Sequence, residues 1–409
     1  MATITGAGGN TIAINAGSND VSGVAQALAG AISANLGNGR LTPVSGPGAV
    51  LPPGSTGFQA VSAGGVTALQ PITSAAAIST TDAATVFGAG AANQQVLAGN
   101  GALTYVANGG SGTIVTGDGN NALLLQNSGP FNVVTGAGND TIVSGSTGAS
   151  TIRAGGGNNT IFLTPAAELV ILGGTQDVVA GTGSGALTDT IFGGAGTALI
   201  AENGSSNLLF VGGSGAATVF GSAGSATIFG GAAGGLYAGG AAGNNVLLGS
   251  TGGSSTLFGA GNGDTLFARG ASSTTLIAGA GNETLVGSAS SGNNIFYASA
   301  AGDTQVYGGA GNDVVFAGRN TTINGGAGAD LIALQQGRSS GTVQIFGFEA
   351  SDRVTLQGYG AGELAGTLGP DGRGASTVVY GVQSTSIVLT GGTRVDFVGV
   401  ASLSSSNFV

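Results

Sequence analysis

The sequence predicts an all-β protein: a parallel β-roll, or β-solenoid, of half-coils of about nine residues, with a short N-terminal helix and a C-terminal β cap. Three observations lead to this prediction. A glycine-rich turn followed by three strand-favouring residues recurs from about residue 84 to 335. An apolar residue keeps the same place in each unit. Glycine supplies 85 of the 409 residues, about three times its usual share.

The repeat is visible in segments such as GAGNDTIV (136–143), GNGDTLF (261–267) and GAGNETLV (279–286). The central apolar residue of each strand triplet advances by about 9.4 residues per unit, because twelve steps cover the 113 residues from Val219 to Ile332. A low-complexity linker would not keep this register. The column consists of Val219, Ile228, Tyr237, Leu247, Leu257, Leu266, Leu276, Leu285, Ile295, Val306, Val315, Ile323 and Ile332.

Half-coils of this length can stack into a regular parallel roll. Two of them form one coil of roughly 19 residues, and successive coils pair through their backbones at about 4.8 Å. Because side chains alternate along a strand, the central residue points inward and its two neighbours point outward. Glycine supplies the positive φ angles of the sharp corners.

The composition excludes several classes of protein. The chain contains no Cys, His or Trp, which removes disulfides, zinc sites, thiol nucleophiles and histidine bases. The net charge is −10, and no basic patch is present to bind nucleic acid. Met1 to Asn19 lacks the pattern of a classical signal peptide, and no stretch approaches the roughly 20 apolar residues of a transmembrane segment. No catalytic domain remains once the roll is assigned, so we expect no enzyme.

Two segments, GGAGNDVVF (308–316) and GGAGADLIA (325–333), follow the pattern G-G-x-G-x-D-x-U-x, where U is a large apolar residue. At these residues, and in weaker copies over about 250 residues, the chain resembles the RTX family of calcium-binding repeat proteins. The resemblance implies that turn carbonyls and Asp carboxylates of neighbouring coils hold Ca²⁺. The acidic sixth position is often replaced, at Asn159, Ala217, Ala226, Asn245, Ser255 and Thr274.

A calcium site of this kind needs acidic residues one coil apart on the same edge. Asp313 and Asp330 are 17 residues apart, and Asp264 and Glu283 are 19 apart, so both pairs fit. Asp140 faces Asn159 at the same spacing and would form a poorer site. The alternative for each acid is a solvated turn residue. We predict few ions, toward the C-terminal end, with these ligands: Asp313, Asp330, Gly309, Gly311, Gly326, Gly328, Asp264, Glu283 and Asp140.

The C-terminal region also resembles the family. Segments 344–349 and 352–356 are similar to the part that closes the roll. Residues 385–409 alternate apolar and polar side chains and are similar to the C-terminal signal of type I secretion in Gram-negative bacteria. The alternative is an ordinary antiparallel cap, and both can hold together. The resemblance implies an extracellular or cell-surface location.

The N-terminal region is different. Residues 20–36 place Val21, Val24, Leu28, Ile32 and Leu36 on one helical face, which predicts an amphipathic helix that covers the solenoid or contacts another copy. Residues 40–75 contain five prolines and predict an irregular connection. We therefore assign 1–83 to an N-terminal region, 84–338 to the solenoid, and 339–409 to the cap with the secretion signal.

One feature of the repeat bears on function. The residue after each inward one should point outward, and these positions form an apolar row on each face. We predict that another copy of the protein covers the first row, although a terminal segment of the same chain is the alternative. The first row is Phe192, Phe210, Phe229, Leu248, Phe267, Val286 and Tyr307; the other includes Phe220, Phe258, Ile277, Phe296 and Phe316.

These observations favour a secreted, self-assembling structural protein, as a surface layer or an extracellular or biofilm-matrix filament, partly stabilised by Ca²⁺. The alternative is a calcium-dependent adhesin that binds a surface or glycan, which would require a distinct ligand domain. Ice binding by the outward Thr residues is a third reading, but Thr simply favours strands.

Overall fold

The structure, a computed structural model, describes residues 1–6, 8–15, 19–44, 50–62, 64–78, 82–107, 109–126, 129–164, 166–183, 187–360, 362–369 and 372–409. It is an all-β parallel solenoid, and within these residues its α-helices are α1 (Asn19–Gly37) and α2 (Glu363–Leu368). The predicted fold class is confirmed. The chain divides into two compact units, Met1–Leu209 and Phe210–Val409.

The first unit contains one α-helix and a long series of short strands. They are β1 (Ala2–Thr5), β2 (Thr11–Ile14), α1 (Asn19–Gly37), β3 (Leu41–Pro43), β4 (Thr56–Val61), β5 (Gly65–Ala68), β6 (Thr73–Ile78), β7 (Ala84–Phe87), β8 (Gln94–Ala98), β9 (Leu103–Val106), β10 (Gly112–Val115), β11 (Ala122–Gln126), β12 (Phe131–Val134), β13 (Thr141–Gly145), β14 (Thr151–Ala154), β15 (Thr160–Leu163), β16 (Leu169–Leu172), β17 (Gln176–Gly181), β18 (Thr188–Phe192) and β19 (Thr197–Glu202). Strand β20 (Asn207–Val211) contains the boundary between the two units.

Alternate strands of this unit form two parallel sheets. Strands β3, β4 and then the even-numbered strands to β18 make the front sheet. The odd-numbered strands from β5 to β19 make the back sheet. Inward side chains of both sheets fill the roll, and Ile114, Ile142 and Ile161 are each fully buried.

The predicted helix is present as α1, and it covers the outside of the front sheet. Its apolar face, which includes Leu28 and Ile32, packs on the outward side chains of Leu97, Val115 and Val134. These three residues are paired in register on β8, β10 and β12. An apolar row that would otherwise face water is therefore covered by a segment of the same chain.

The segment 40–75 is not the irregular connection that we expected. It carries β3, β4 and β5, and β6 begins there; they pair in parallel as further coils of the roll. These coils lack the glycine-acid motif, and small residues such as Ala75 and Ala77 replace the larger outward residues beneath α1. The motif therefore marks only part of the solenoid. Residues 45–49 of this segment lie outside the described residues.

The second unit continues the same pattern of strands and ends in a cap. Its elements are β21 (Ala217–Phe220), β22 (Ala226–Phe229), β23 (Gly235–Ala238), β24 (Val246–Leu248), β25 (Ser255–Phe258), β26 (Thr265–Gly270), β27 (Thr274–Ile277), β28 (Glu283–Ser290), β29 (Ile295–Tyr297), β30 (Thr304–Gly309), β31 (Val314–Phe316), β32 (Thr321–Gly326), β33 (Leu331–Gln335), β34 (Thr342–Phe346), β35 (Arg353–Gln357), α2 (Glu363–Leu368), β36 (Ala375–Val379), β37 (Val382–Val388), β38 (Arg394–Val398) and a short 3-10 helix (Ser405–Asn407).

In this unit the even-numbered strands from β22 to β34 form the front sheet, and the odd-numbered strands from β21 to β35 form the back sheet. The C-terminal cap extends the front sheet. Strand β38 pairs in parallel with β34, and β37 pairs antiparallel with both β36 and β38. The predicted β cap is therefore present. No helix among the described residues is long and apolar enough to cross a membrane.

The predicted inward column is buried at every position except one. Ile295 is half-buried, and the neighbouring Phe296 is fully buried in its place. The same one-residue change of phase occurs in β20, where Leu208 and Phe210 point inward. Our placement of Phe210 and Phe296 on the outside was therefore wrong. Both lie in uninterrupted apolar runs, which fit the strand in either phase.

Candidate calcium sites

The acidic residues predicted as ligands are buried at the corners where glycine-rich turns enter strands. Asp140 and Asp264 are each 1% exposed, Asp313 is 0% exposed, and Glu283 and Asp330 are each 2% exposed. The alternative of solvated turn residues is wrong for all five. Burying a carboxylate is costly unless hydrogen bonds or a cation compensate, so each corner needs a partner for its acid.

Hydrogen bonds along the stack satisfy one oxygen of most of these acids. The N–H of Asn294 donates to Asp313 Oδ1 at 2.6 Å, and the N–H of Asp313 donates to Asp330 Oδ1 at 2.8 Å. The N–H of Asp330 donates in turn to Asp352 Oδ1 at 3.0 Å. We call this arrangement the buried ladder: each rung is an acid or amide that accepts the N–H of the rung one coil earlier.

The sites differ in whether the second carboxylate oxygen accepts a hydrogen bond. Asp264 Oδ2 accepts the N–H groups of Ala260 and Gly261 at 2.9 and 3.1 Å. Asp330 Oδ2 and Asp140 Oδ2 are buried without a hydrogen-bond partner among the described residues. A bound cation would compensate these two oxygens.

Asp264 and Glu283 converge on the backbone at Gly259. A Cβ atom at Gly259 would lie 2.9 Å from Glu283 Oε2 and 3.1 Å from Asp264 Oδ2. Neither oxygen of Glu283 has a hydrogen-bond partner of good geometry in the described part of the chain. Burial, and then the charge of Asp264, raise the pKa of Glu283 to about 7, and nearby backbone groups of Gly281 and Asp264 offset this only in part.

The four predicted glycines lie in the turns that precede Asp313 and Asp330, and the two carboxylates lie against the neighbouring Gly308 and Gly325. The N–H of Gly309 donates to Asp313 Oδ2 at 2.8 Å. Gly326 and Gly328 have φ angles of +94° and +131°, and a Cβ atom at either would collide with a glycine carbonyl one coil earlier. The corner is thus formed by backbone at distances that only glycine permits.

Electrostatics at Asp330 also indicate a need for positive charge. Burial raises the pKa of Asp330 to about 6; the N–H of Asp313 lowers it, while the charges of Asp352, Asp313 and Glu349 raise it. Burial likewise raises the pKa of Asp140 to about 6, against hydrogen bonds that lower it. Asp140 does face Asn159, whose Oδ1 accepts the N–H of Asp140 at 3.1 Å.

The donor atoms fit Ca²⁺. Carboxylate and backbone carbonyl oxygens are the ligands that this hard cation prefers. Among the described residues no three acidic side chains gather into one metal-binding group. Each ion would therefore be held by a pair of carboxylates from neighbouring coils together with turn carbonyls. The individual ligands remain predictions.

Six buried acids were not among our predicted ligands: Glu168, Asp177, Asp189, Glu202, Asp352 and Asp396. Asp177 and Asp352 are rungs of the buried ladder, since they accept the N–H groups of Asn159 and Asp330 at 3.1 and 3.0 Å. Their separation from the preceding rung, 18 and 22 residues, is the signal that could have identified them.

Stacked half-coils with acidic, glycine-lined corners define a class of protein, the calcium-binding parallel β-roll. The RTX calcium-binding nonapeptide repeat matches this chain in four copies, at residues 134–164, 211–233, 288–321 and 320–338. The chain therefore contains RTX repeats, and repeats of this type bind Ca²⁺, as predicted. The matches include Asp140, Asp313 and Asp330, but not Asp264 or Glu283. No curated protein matches the chain.

Proposed function

We propose that the chain is a secreted structural protein that self-assembles through apolar stripes on its second unit and is stabilised by Ca²⁺. Its RTX β-solenoid is the fold of a secreted calcium-binding protein, and this repeat fold is typically non-catalytic. The assembly function is our inference from the surface of the roll.

The observation that carries the proposal is a front stripe of five outward residues on β22, β24, β26, β28 and β30. Phe229 and Tyr307 are 37% and 42% exposed, and the three residues between them are half-buried. All five are paired in register: Phe229, Leu248, Phe267, Val286 and Tyr307. At the usual strand spacing the stripe extends about 19 Å. Of the other predicted residues, Phe192 is 39% exposed in the first unit, and Phe210 is inward.

In the first unit, one such row is covered by a segment of the same chain. Leu97, Val115 and Val134 occupy the corresponding outward positions and are buried beneath α1. Among the described residues of the second unit, Phe229 and Tyr307 remain open to solvent. Soluble monomers rarely leave contiguous apolar patches exposed. A second copy is therefore the occupant that we propose for the front stripe.

The back sheet of the second unit carries a matching row. Its outward residues, the back stripe, are paired in register and include the stacked rings of Tyr297 and Phe316, whose centroids are 4.6 Å apart. Two different apolar faces permit a front-to-back contact that repeats without closing, which produces a layer or a filament. The back stripe is Phe220, Ala238, Phe258, Ile277, Tyr297 and Phe316.

Mutation of the front stripe tests assembly. We expect the double variant F229S/F267S to remain folded and monomeric where the wild type forms particles by light scattering and negative-stain microscopy in Ca²⁺. V378S is a matched control, because Val378 is an apolar residue 70% exposed on the cap hairpin, outside both stripes. Assembly of the double variant at the wild-type level would disprove the proposal.

Export is the second part of the proposal. Proteins with RTX repeats are typically exported by type I secretion in Gram-negative bacteria. We propose the same route and an extracellular or cell-surface location for this chain. Co-expression with a type I exporter tests it: the full chain should reach the medium, and a chain lacking residues 385–409 should stay in the cell. Equal secretion of both chains would contradict a C-terminal signal.

A further inference from the structure

We propose that Glu202 and Asp189 hold a divalent cation at a corner of the first unit. This site lies outside the segments that match the RTX repeat, and Glu202 does not occupy the acidic position of a nonapeptide. The inference goes beyond the proposed assembly function and does not depend on it.

The carboxylate of Glu202 is buried at the end of a strand. Glu202 is the last residue of β19, is 3% exposed, and is paired in register with Gly181 on β17. A Cβ atom at Gly181 would collide with both oxygens of the Glu202 carboxylate, so the carboxylate lies directly over that glycine. Neither oxygen has a hydrogen-bond partner among the described residues.

Asp189 supplies the second carboxylate. It is 1% exposed near the start of β18, and its Oδ1 accepts the N–H of Glu168 at 2.9 Å as a rung of the ladder on this edge. Its Oδ2 accepts the hydroxyl of Ser206 at 3.3 Å. Ser206 follows Glu202 in the next turn, so the carboxylates of Glu202 and Asp189 and this hydroxyl belong to the same corner.

The electrostatics of the corner agree with this geometry. Burial, and then the negative charge of Asp189, raise the pKa of Glu202 to about 8. Two buried carboxylates that repel each other are stabilised by a cation that neutralises both. Carboxylate and hydroxyl oxygens are hard donors, and the flexible coordination of Ca²⁺ suits a pair of carboxylates completed by turn oxygens.

Glu168 shows what this protein does with a buried glutamate that needs no ion. It is 2% exposed and lies one coil before Asp189, on the same edge of the roll. Its Oε1 accepts the hydroxyls of Ser144 and Ser146 at 2.8 and 3.0 Å, and its Oε2 accepts the N–H of Ser150 at 2.8 Å. The sequence surrounds Glu168 with donors, whereas both oxygens of Glu202 lack them in the described residues.

The number of bound ions tests the proposal. Metal-free protein is equilibrated with Ca²⁺ alone, above the pKa of Glu202, and bound ions are counted by equilibrium dialysis for the wild type, E202Q, D189N and the control E168Q. We expect E202Q and D189N each to bind one ion fewer than the wild type, and E168Q to bind the same number. D189N keeps the Oδ1 atom that accepts the N–H of Glu168.

An unchanged count in E202Q and D189N overturns the site. If circular dichroism shows that a variant has not folded, wild-type crystals soaked in Tb³⁺ decide the question. An anomalous peak between Glu202 and Asp189 supports the site, and no peak at saturating Tb³⁺ overturns it. Because ions are counted per chain in either assembly state, a failure here leaves the proposed self-assembly untouched.

Discussion

Removing the charge of Glu283 should stabilise the metal-free protein at alkaline pH. This carboxylate is 2% exposed, lies beside Asp264, and has no hydrogen-bond partner of good geometry among the described residues. In the unfolded chain it titrates near 4.5, and in the folded protein its pKa is raised to about 7, by burial first and then by Asp264. The substitution E283Q keeps the shape of the side chain and removes the charge.

The sign and size of the effect follow from proton linkage. Between pH 4.5 and about 7 the folded state holds a proton that the unfolded state has lost. The free energy of unfolding therefore falls by up to about 1.4 kcal/mol per pH unit across this window, and the loss is complete above it. The total is about 3 kcal/mol at most, and about half of that where water and counter-ions screen the charge.

Urea unfolding in EGTA measures this effect. We expect E283Q to be more stable than the wild type by about 1–3 kcal/mol above pH 7 and equal to it below pH 4.5. Saturating Ca²⁺ should reverse the order, because the variant has lost a ligand. E349Q is the control for removing an exposed carboxylate, because Glu349 is exposed and Asp352 contacts only its backbone N–H and C=O. A wild type whose stability does not fall over this pH range, or an E283Q variant that gains nothing, would refute the reasoning.

Three further predictions concern packing, corners and ion number. F296A should cost about 3–5 kcal/mol in urea unfolding, and I295A clearly less, since Phe296 and not Ile295 fills the core; equal costs would contradict the observed phase. G326A should destabilise more than G337A, because both glycines have positive φ but only Gly326 presses on a backbone carbonyl; a matching loss would rule out the steric clash. N159D places a carboxylate between two buried aspartates and should add one bound Ca²⁺ in equilibrium dialysis, and an unchanged count would argue against ladder acids as ligands.

The sequence predicts the architecture of this protein, but it does not predict for every strand which side chains point inward. A glycine corner repeated at an even interval leaves few alternatives to stacked coils, so the inward column from Val219 to Leu285 is correct throughout. Phase is lost where a strand is apolar at each position, as in residues 207–211 and 295–297. There, only packing against the neighbouring coils decides which side chains enter the core.

Some of the buried acids at the corners could be predicted from the sequence, and others could not. Asp313 and Asp330 stand in complete copies of the motif that resembles the RTX nonapeptide, and both are buried at corners of the roll. Glu202 ends a strand instead of following a glycine turn, so its proximity to Asp189 appears only once β19 is placed in register on β17. The coils of residues 41–78 escaped prediction because alanine and proline replace the motif, and α1 covers the small side chains.

The buried ladder gives the solenoid a direction. Asn245, Asn294 and Asp313 each donate a backbone N–H to a side chain that comes later in the chain. The backbone N–H at each of these corners therefore has its acceptor only when the next coil is in place. A side chain that loses its donor can rotate into water, whereas a fixed N–H that loses its acceptor cannot. Loss of a coil from the C-terminal end should accordingly destabilise the roll more than loss of a coil from the N-terminal end. The cap of β36, β37 and β38 lies at the C-terminal end.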